Sequence, residues 1–271
     1  MPLGLEELRE RTLANNLVWL RSFGCRVRRL GGVVFVTHPD LNDYCALLLF
    51  ADPKSSYTTL EAYAGHRPRR ASAPNVYVDR EAYSPELRQL LSRNGCARKS
   101  VSQVTAGEWA RAGRAGEVEI RAALTWEVAD WASVYSLGFG REGADKESDR
   151  RRWGMSFQDP AVGHWFFLRR GKVIGVCQTC DADGVVGIYS FTLVPEEREF
   201  DSVHSAVNAL RAKLLEDGPA RVYFERVKGP ENSRPFRRLA GALSGFKVIR
   251  VSEAYRCDGF DKDAPADRRA F

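Results

Sequence analysis

The sequence predicts an α/β (α+β) protein whose mixed sheets are flanked by helices. Two observations predict it. Residues 184–215, GVVGIYSFTLVPEEREFDSVHSAVNALRAKLL, run as a β-rich segment, a proline and an amphipathic helix. Strand-like and helix-like segments also alternate on both sides of a small, polar, aperiodic stretch at 105–117, TAGEWARAGRAGE, which divides the chain into two series.

Composition sets the bounds. With 271 residues, 44% of them hydrophobic, and six Trp, the chain can bury a substantial core as one large domain or two ordinary ones. The lack of Ser-, Gln- or Pro-rich low-complexity sequence excludes a disordered chain. A formal charge of +6, carried far more by Arg than by Lys, fits a plain Arg-rich surface and also nucleic-acid binding. Residues 1–20 are punctuated by Glu6, Glu7, Arg9, Glu10 and Arg11, the pattern of an amphipathic helix and not of a leader. Six Cys are scattered through this chain, at 25, 45, 96, 177, 180 and 257; they are expected to be reduced thiols, and the expected localisation is cytoplasmic. No apolar run reaches membrane-spanning length, so no membrane partner is expected.

In chain order, Leu8, Leu13, Leu17 and Leu20 give 5–23 a helical period. Gly31-Gly32, between 26–30 and 33–37, suits a hairpin, and 44–50 reads as a short buried strand. The segment 54–73 is turn-rich after a helical piece at 60–64. Next come a strand at 75–78, a helix at 85–92 with Pro85 near its start, and a strand at 96–104. Beyond 105–117 the pattern gives a strand at 118–122, a helix at 126–137, a polar break at 138–143 and a helix at 146–156. Strands at 163–168 and 173–179 follow, turning at Arg169-Arg-Gly-Lys172. Asp181-Ala-Asp-Gly184 then turns the chain into a strand at 185–194, which Pro195 ends because it cannot donate to a ladder. Phe200, Val203, Val207, Leu210 and Leu214 line one face of the next helix, with Asp201 or Ser202 as its cap. A strand at 221–227, a loop at 228–232, a helix at 234–243 and a final strand to about 255 precede a charged tail at 258–271.

A strand that runs through a loop into a helix N-terminus orients backbone N–H groups toward a phosphate or an acyl group. Leu193-Val-Pro-Glu-Glu-Arg198 resembles the first half of φ-x-V-x-P-x-x-R-G-x-G-x-G, the signature of the GNAT superfamily of N-acyltransferases. LSGFKVI at 243–249 resembles that family's junction of last helix and last strand, and the order β-α-α-β-β-β-α-β-α-β over 118–257 resembles its topology. The first half of the chain matches only in outline. The resemblance therefore implies a tandem: a degenerate GNAT-like domain at 1–104, a linker at 105–117, a GNAT-like acyltransferase domain at 118–257 and a flexible tail at 258–271. Where the family's loop has glycines, this chain has Glu199, Asp201 and Val203, two acids and a bulky side chain at the place of a pyrophosphate.

The resemblance also implies an activity: transfer of an acyl group from acyl-CoA, acetyl-CoA by default, to an amine of a small molecule or peptide, with no metal. It implies that the donor carbonyl meets backbone N–H groups of Phe191, Leu193 and Val194. Arg198 would contact the donor phosphate, and Asn232 and Ser233 its pocket. Tyr189 stands where many members carry a glutamate base; a phenol of pKa about 10 is suited to orienting water. Glu225 on the next strand is an alternative base. The family's usual tyrosine acid falls at Gly241, which leaves Tyr255 as the candidate. Tyr135, Phe139, Glu142 and Trp153 would bind the acceptor.

Two other readings stay open. Tandem GNAT-like proteins include transferases that draw an aminoacyl group from charged tRNA, and an acyl carrier protein could also present the donor; basic groups such as Arg150-Arg-Arg152 would then make phosphate contacts. The third is a non-catalytic binding module. Cys177-Gln-Thr-Cys180 is a lone pair whose members face opposite sides of a strand, which opposes joint metal ligation, and the four His have no metal-site spacing.

Overall fold

The computed structural model describes residues 3–30, 33–38, 45–49, 75–80, 83–111, 116–140, 146–228 and 245–257. Glu142, Asn232, Ser233, all of 54–73, the expected helix at 234–243 and the tail at 258–271 lie outside the described residues. Two compact units interleave along the chain: 1–24, 104–226 and 231–249 form one, and 25–103, 227–230 and 250–271 the other. Each draws on residues from either side of 105–117.

In the first unit the hydrogen-bonded strand order is β10-β9-β8-β7-β6. These are β6 (Val118–Ala122), β7 (Val162–Arg169), β8 (Lys172–Ala182), β9 (Val185–Leu193) and β10 (Ala220–Lys228). The neighbours from β6 to β9 pair antiparallel, whereas β9 and β10 pair parallel. Side chains alternate across the strands, so residues an odd number apart serve different faces. One face of the sheet, with Phe167, Cys177 and Leu193, packs on α5 (Phe200–Leu214) through Ala206 and Leu210. The other, with Val162, Cys180, Val185 and Tyr189, packs on α1 (Leu5–Ser22) through Leu8, Val18 and Trp19. Cys177 and Cys180 thus lie on opposite faces, as their spacing requires.

Two more helices complete the unit. The helix α3 (Val128–Gly138) follows a 3-10 turn at Thr125–Glu127, and α4 (Lys146–Ser156) begins and ends where the sequence places it. Glu127 accepts from Arg121 and from the Leu124 N–H, and the guanidinium holds its carboxyl down at about 2. Trp131 and Trp153 are buried where these helices meet, 4.8 Å between ring centroids.

In the second unit the order is β1-β2-β3-β4-β11, from β1 (Arg26–Leu30), β2 (Val33–Thr37), β3 (Cys45–Leu49), β4 (Asn75–Asp79) and β11 (Lys247–Cys257). All neighbours pair antiparallel except β3 and β4, which are parallel. Val34, Val36, Val76 and Val78 are buried with the period of two of a half-buried strand. The helix α2 (Pro85–Arg93) has proline at its first turn and is capped by Ser84, whose Oγ accepts from the Leu87 N–H at 3.1 Å.

Three expectations are corrected. The strand expected at 96–104, β5 (Cys96–Trp109), runs on into the expected linker as far as Trp109, with Val104, Ala106 and Trp109 buried. Ala106 and Gly107 carry little hydrophobic signal; Gly107 is small because the Phe246 ring fills the space its Cβ would take. The helix α5 starts at Phe200 with Glu199 in the N-cap position and no side-chain cap, so neither Asp201 nor Ser202 caps it; Ser202 bonds Arg169 instead. Cys25, Cys177 and Cys180 are free thiols, but Cys96 is disulfide-bonded, so the cysteines are not uniformly reduced. No helix among the described residues is long and apolar enough to cross a membrane.

The buried carboxamide of Asn15 holds α1 to the sheet. Its Nδ2 donates to the carbonyls of Cys180, Ala182 and Val185 at 2.8, 3.2 and 2.8 Å. Its Oδ1 lies 3.0 and 2.9 Å from the hydroxyls of Tyr189 and Tyr223, which also meet each other, so the two hydroxyl hydrogens are shared within this three-membered cluster. Gly187 leaves room for this cluster, since a Cβ there would lie 2.5 Å from the Tyr189 ring and 2.7 Å from Asn15 Oδ1. Replacing Asn15 by Ala strips partners from buried polar groups, each costing about 1–3 kcal/mol. The variant is expected to lose about 3 kcal/mol or more in urea unfolding; a loss below about 1 kcal/mol would show that water replaces the side chain.

Candidate functional site

Strands β9 and β10 pair in parallel at Val186–Val222, Gly187–Tyr223 and Ile188–Phe224, and the pairing stops there. Both strands continue, to Leu193 and to Lys228, so they part and leave an open edge on β9. Across its other edge β9 stays paired with β8, but the register shifts: Val176 faces Thr192 and Gln178 faces Tyr189. Ser190 and Phe191 therefore oppose Cys177 alone, a β-bulge just past the point of parting. Ser190 has φ of 52°, a conformation that costs a non-glycine residue about 1 kcal/mol or more. Beyond the bulge the Val194 N–H is bonded to the Ile174 carbonyl at 2.9 Å, which leaves the Leu193 N–H on the open edge.

Beneath the bulge lies a buried polar relay. Gln178, fully buried, receives the Trp19 indole N–H at 3.2 Å and the Ser190 hydroxyl at 3.0 Å on its Oε1. Its Nε2 reaches Ser156 Oγ at 3.0 Å and His164 Nε2 at 2.8 Å. An indole N–H only donates, so it fixes the orientation of the Gln178 amide and makes His164 Nε2 an acceptor. The His164 ring stacks on Phe157 at 3.7 Å between centroids. Burial lowers its pKa to about 3, with a hydrogen bond to the Val162 backbone acting in the opposite sense.

After β9 the chain makes a 3-10 turn at Pro195–Glu197 and enters α5. The Arg198 guanidinium donates to the carbonyls of Leu193, at 3.2 Å, and of Gly138, the last residue of α3. Thr192 Oγ1 donates to the same Gly138 carbonyl at 2.9 Å. Arg169 bonds the Glu197 carboxylate at 2.6 Å and Ser202 Oγ at 2.5 Å. The uncapped α5 N-terminus attracts an anion by about 0.3–1 kcal/mol. Each carboxylate near a phosphate opposes this by about 1 kcal/mol at 4 Å in water and more when shielded from it. Glu196, Glu197, Glu199 and Asp201 surround this turn, so the residues fit a diphosphate poorly, whereas the open edge of β9 fits a carbonyl.

The other expected site residues are distributed as follows. Tyr189 is buried, stacked on Trp19 at 4.2 Å and bonded to Asn15, so its hydroxyl belongs to the core cluster. Glu225 lies on β10 just past Phe224, at the start of the parted segment. Phe191 and Leu193 pack toward α5. Trp153 is buried under Tyr135, 4.7 Å between centroids, and Phe139 lies 4.7 Å from Tyr135 on the exposed side. Tyr255 belongs to the second unit, where its hydroxyl donates to Glu253 at 2.7 Å and lies 3.1 Å from that of Tyr83; burial and these bonds raise its pKa. Burial raises the pKa of Cys180 to about 12 and that of Cys177 well above its ordinary value, so both stay protonated. Among the described residues no group of His, Cys, Asp or Glu is placed to hold a metal ion. A cavity of about 360 Å³ beside Asp181, Lys213, Asp217 and Arg221 lies at the paired end of β9 and β10, away from the parting. Ser190, Gln178, Asn15 and Tyr223 escaped the sequence reading; only the position of Ser190 in a motif-bearing strand hinted at it.

A mixed sheet opened between two parallel strands, with helices on both faces, is the GNAT fold expected from the sequence. No protein-family model matches the chain, and no curated protein matches it in sequence. Solved structures share the fold. A GCN5-related N-acetyltransferase from Kribbella flavida superposes with a TM-score of 0.63 at 16% identity, covering 91% of this chain and 96% of that one. Another from Sphaerobacter thermophilus gives 0.58 at 16% identity, covering 84% and 81%. A tandem GNAT protein from the clavulanic acid biosynthesis pathway gives 0.51 at 12% identity, covering 84% and 80%.

The His164 environment makes a testable statement about pH. An unfolded chain binds a proton on this histidine below about 6.5, whereas the folded chain does so only near 3. Stability is therefore expected to rise with pH across that window and to level off above it. Urea unfolding at intervals from pH 5 to 7.5 should show this rise, and His164→Asn should flatten it; an unchanged slope in the variant would assign the effect to other groups.

Proposed function

We propose that the chain is an N-acyltransferase that forms an amide by moving an acyl group from a thioester donor, acyl-CoA with acetyl-CoA as the default, to an amine of a small molecule or peptide. The observation that carries this reading is the parting of β9 from β10 beside a bulge. It leaves backbone N–H groups free to polarise a carbonyl without reorganisation. On this reading Phe191 and Leu193 supply the donor contacts, and the Val194 N–H, already bonded, does not. Glu225, at the root of the parted segment of β10, is the proposed base that takes the amine's proton. Tyr135 and Phe139 line the proposed acceptor side, with Trp153 supporting them from the core. The second unit, built mainly from 25–103, is proposed to be a degenerate copy of the same fold.

One observation favours a different donor on the same chemistry. Arg198 is engaged with two carbonyls and the turn after β9 is acidic, so a donor that does not present a diphosphate there, such as aminoacyl-tRNA or a carrier-protein thioester, is the second reading. Calorimetric titration with acetyl-CoA and with a deacylated tRNA pool at two salt concentrations separates the two. Saturable acetyl-CoA binding, weakened about fivefold or more by Arg198→Ala as the end of β9 shifts, is expected. Salt-sensitive tRNA binding with none of acetyl-CoA would transfer the proposal to the second donor. Glu225→Gln is expected to lower kcat about a hundredfold with little change in donor affinity; an unaltered kcat would remove Glu225 from the mechanism.

A further inference from the structure

Ser190 combines three features that a structural serine does not need. It sits in the bulge with a left-handed backbone, it is half-buried beside the open edge of β9, and its hydroxyl proton is committed inward. The commitment follows from the relay below it. Trp19 can only donate, so Gln178 Oε1 can only accept, and the Ser190 hydroxyl, 3.0 Å away, must give its one hydrogen to that oxygen. The outward side of Ser190 Oγ then presents lone pairs alone. Such an oxygen can receive an N–H; it cannot donate to the carbonyl of an acyl group.

The face matters as well as the polarity. Gln178 reaches Ser156, at the end of α4, and Trp19 of α1, so Ser190 lies on the α1 and α4 face of the sheet, opposite the α5 face where Leu193 packs. We propose that Ser190 binds the acceptor: its oxygen takes a hydrogen bond from the N–H of an incoming primary amine, and Gln178 is the positioning residue that fixes its polarity. Being uncharged, this oxygen holds the amine without favouring the ammonium form, as a carboxylate in the same place would. The nitrogen lone pair stays available for attack. The proposal rests on the acyl-transfer reading and adds the residue that selects the amine.

Ser190→Gly is the decisive variant, because glycine adopts the left-handed backbone freely and only the hydroxyl is lost. Thiol release from acetyl-CoA would be followed with a polyamine, an amino sugar, an amino acid amide and a peptide α-amine. For each amine that wild type accepts, Ser190→Gly is expected to raise the amine KM about tenfold, the worth of one hydrogen bond, with the acetyl-CoA KM and the urea midpoint unchanged or the latter raised. Gln178→Met is expected to raise the amine KM in the same way at constant kcat. An amine KM within about twofold of wild type in Ser190→Gly overturns the proposal, and so does a defect confined to the acetyl-CoA KM, since that places Ser190 on the donor side. Histidine 15N shifts provide a check independent of turnover: a His164 protonated at Nε2 would reverse the relay and overturn the assignment. If wild type releases thiol with none of the amines, the acyl-transfer reading itself fails and this proposal falls with it.

Discussion

The carboxamide of Asn15 is the interaction on which the rest of the first unit depends. It reaches three carbonyls around the turn from β8 into β9 and two hydroxyls, one from β9 and one from β10. Tyr223 pairs with Gly187, and Tyr189 follows the last paired residue of β9. The clamp therefore closes on β9 and β10 at the root of their separation, and the strands diverge from a fixed point. A buried amide so fully used specifies one arrangement, because any other leaves several polar groups unpartnered in the core. The same helix contributes Trp19, which stacks on Tyr189 and sets the direction of the Gln178 amide. One amphipathic helix thus supplies both the clamp and the polarity of the layer next to the open edge.

The polar relay and the aromatic cluster divide the work between them. Trp131, Trp153 and Tyr135 fill the space between α3, α4 and the sheet by area and shape, and they tolerate modest rearrangement. Hydrogen bonds from Trp19 through Gln178 to His164 do not, since reversing the amide would oppose donor to donor at Trp19 and acceptor to acceptor at His164. Packing positions the helices, and the relay orients the hydroxyl at the bulge.

Much of this was legible in the sequence. The alternation in 163–179, the turn at Asp181-Ala-Asp-Gly184 and the halt at Pro195 placed β7, β8 and β9 to within a few residues, because each rests on local chemistry: pleat period, turn residues and a missing donor. The opposite facing of Cys177 and Cys180 followed from the same period. What stayed hidden depends on partners distant in the chain. Asn15 lies in a helix that any helical pattern would describe, and its role exists only through carbonyls more than 160 positions away. The bulge at Ser190 comes from a register mismatch with β8, which no local composition encodes. The burial of Tyr189, a candidate catalytic phenol in the sequence, and of Trp153, a candidate on the acceptor side, depends on Trp19, Asn15 and Tyr135, which are distant in the chain or on another element. Arg198 kept its place in the motif but carries its hydrogen bonds inward.

That inward engagement has a consequence for how ligands on the two faces are related. The Gly138 carbonyl, at the end of a helix on one side of the sheet, is shared by Thr192 and Arg198, and Arg198 also holds the Leu193 carbonyl. A helix end, a strand end and the turn that leads to α5 are thereby joined through one guanidinium and one hydroxyl. A ligand that displaces the end of α3 must work against the same bonds that fix the edge of β9. Any free energy transmitted this way is reciprocal: occupancy on one face would alter affinity on the other by an equal factor. In this chain the arginine of the motif is a mechanical tie between the end of a helix and the end of a strand.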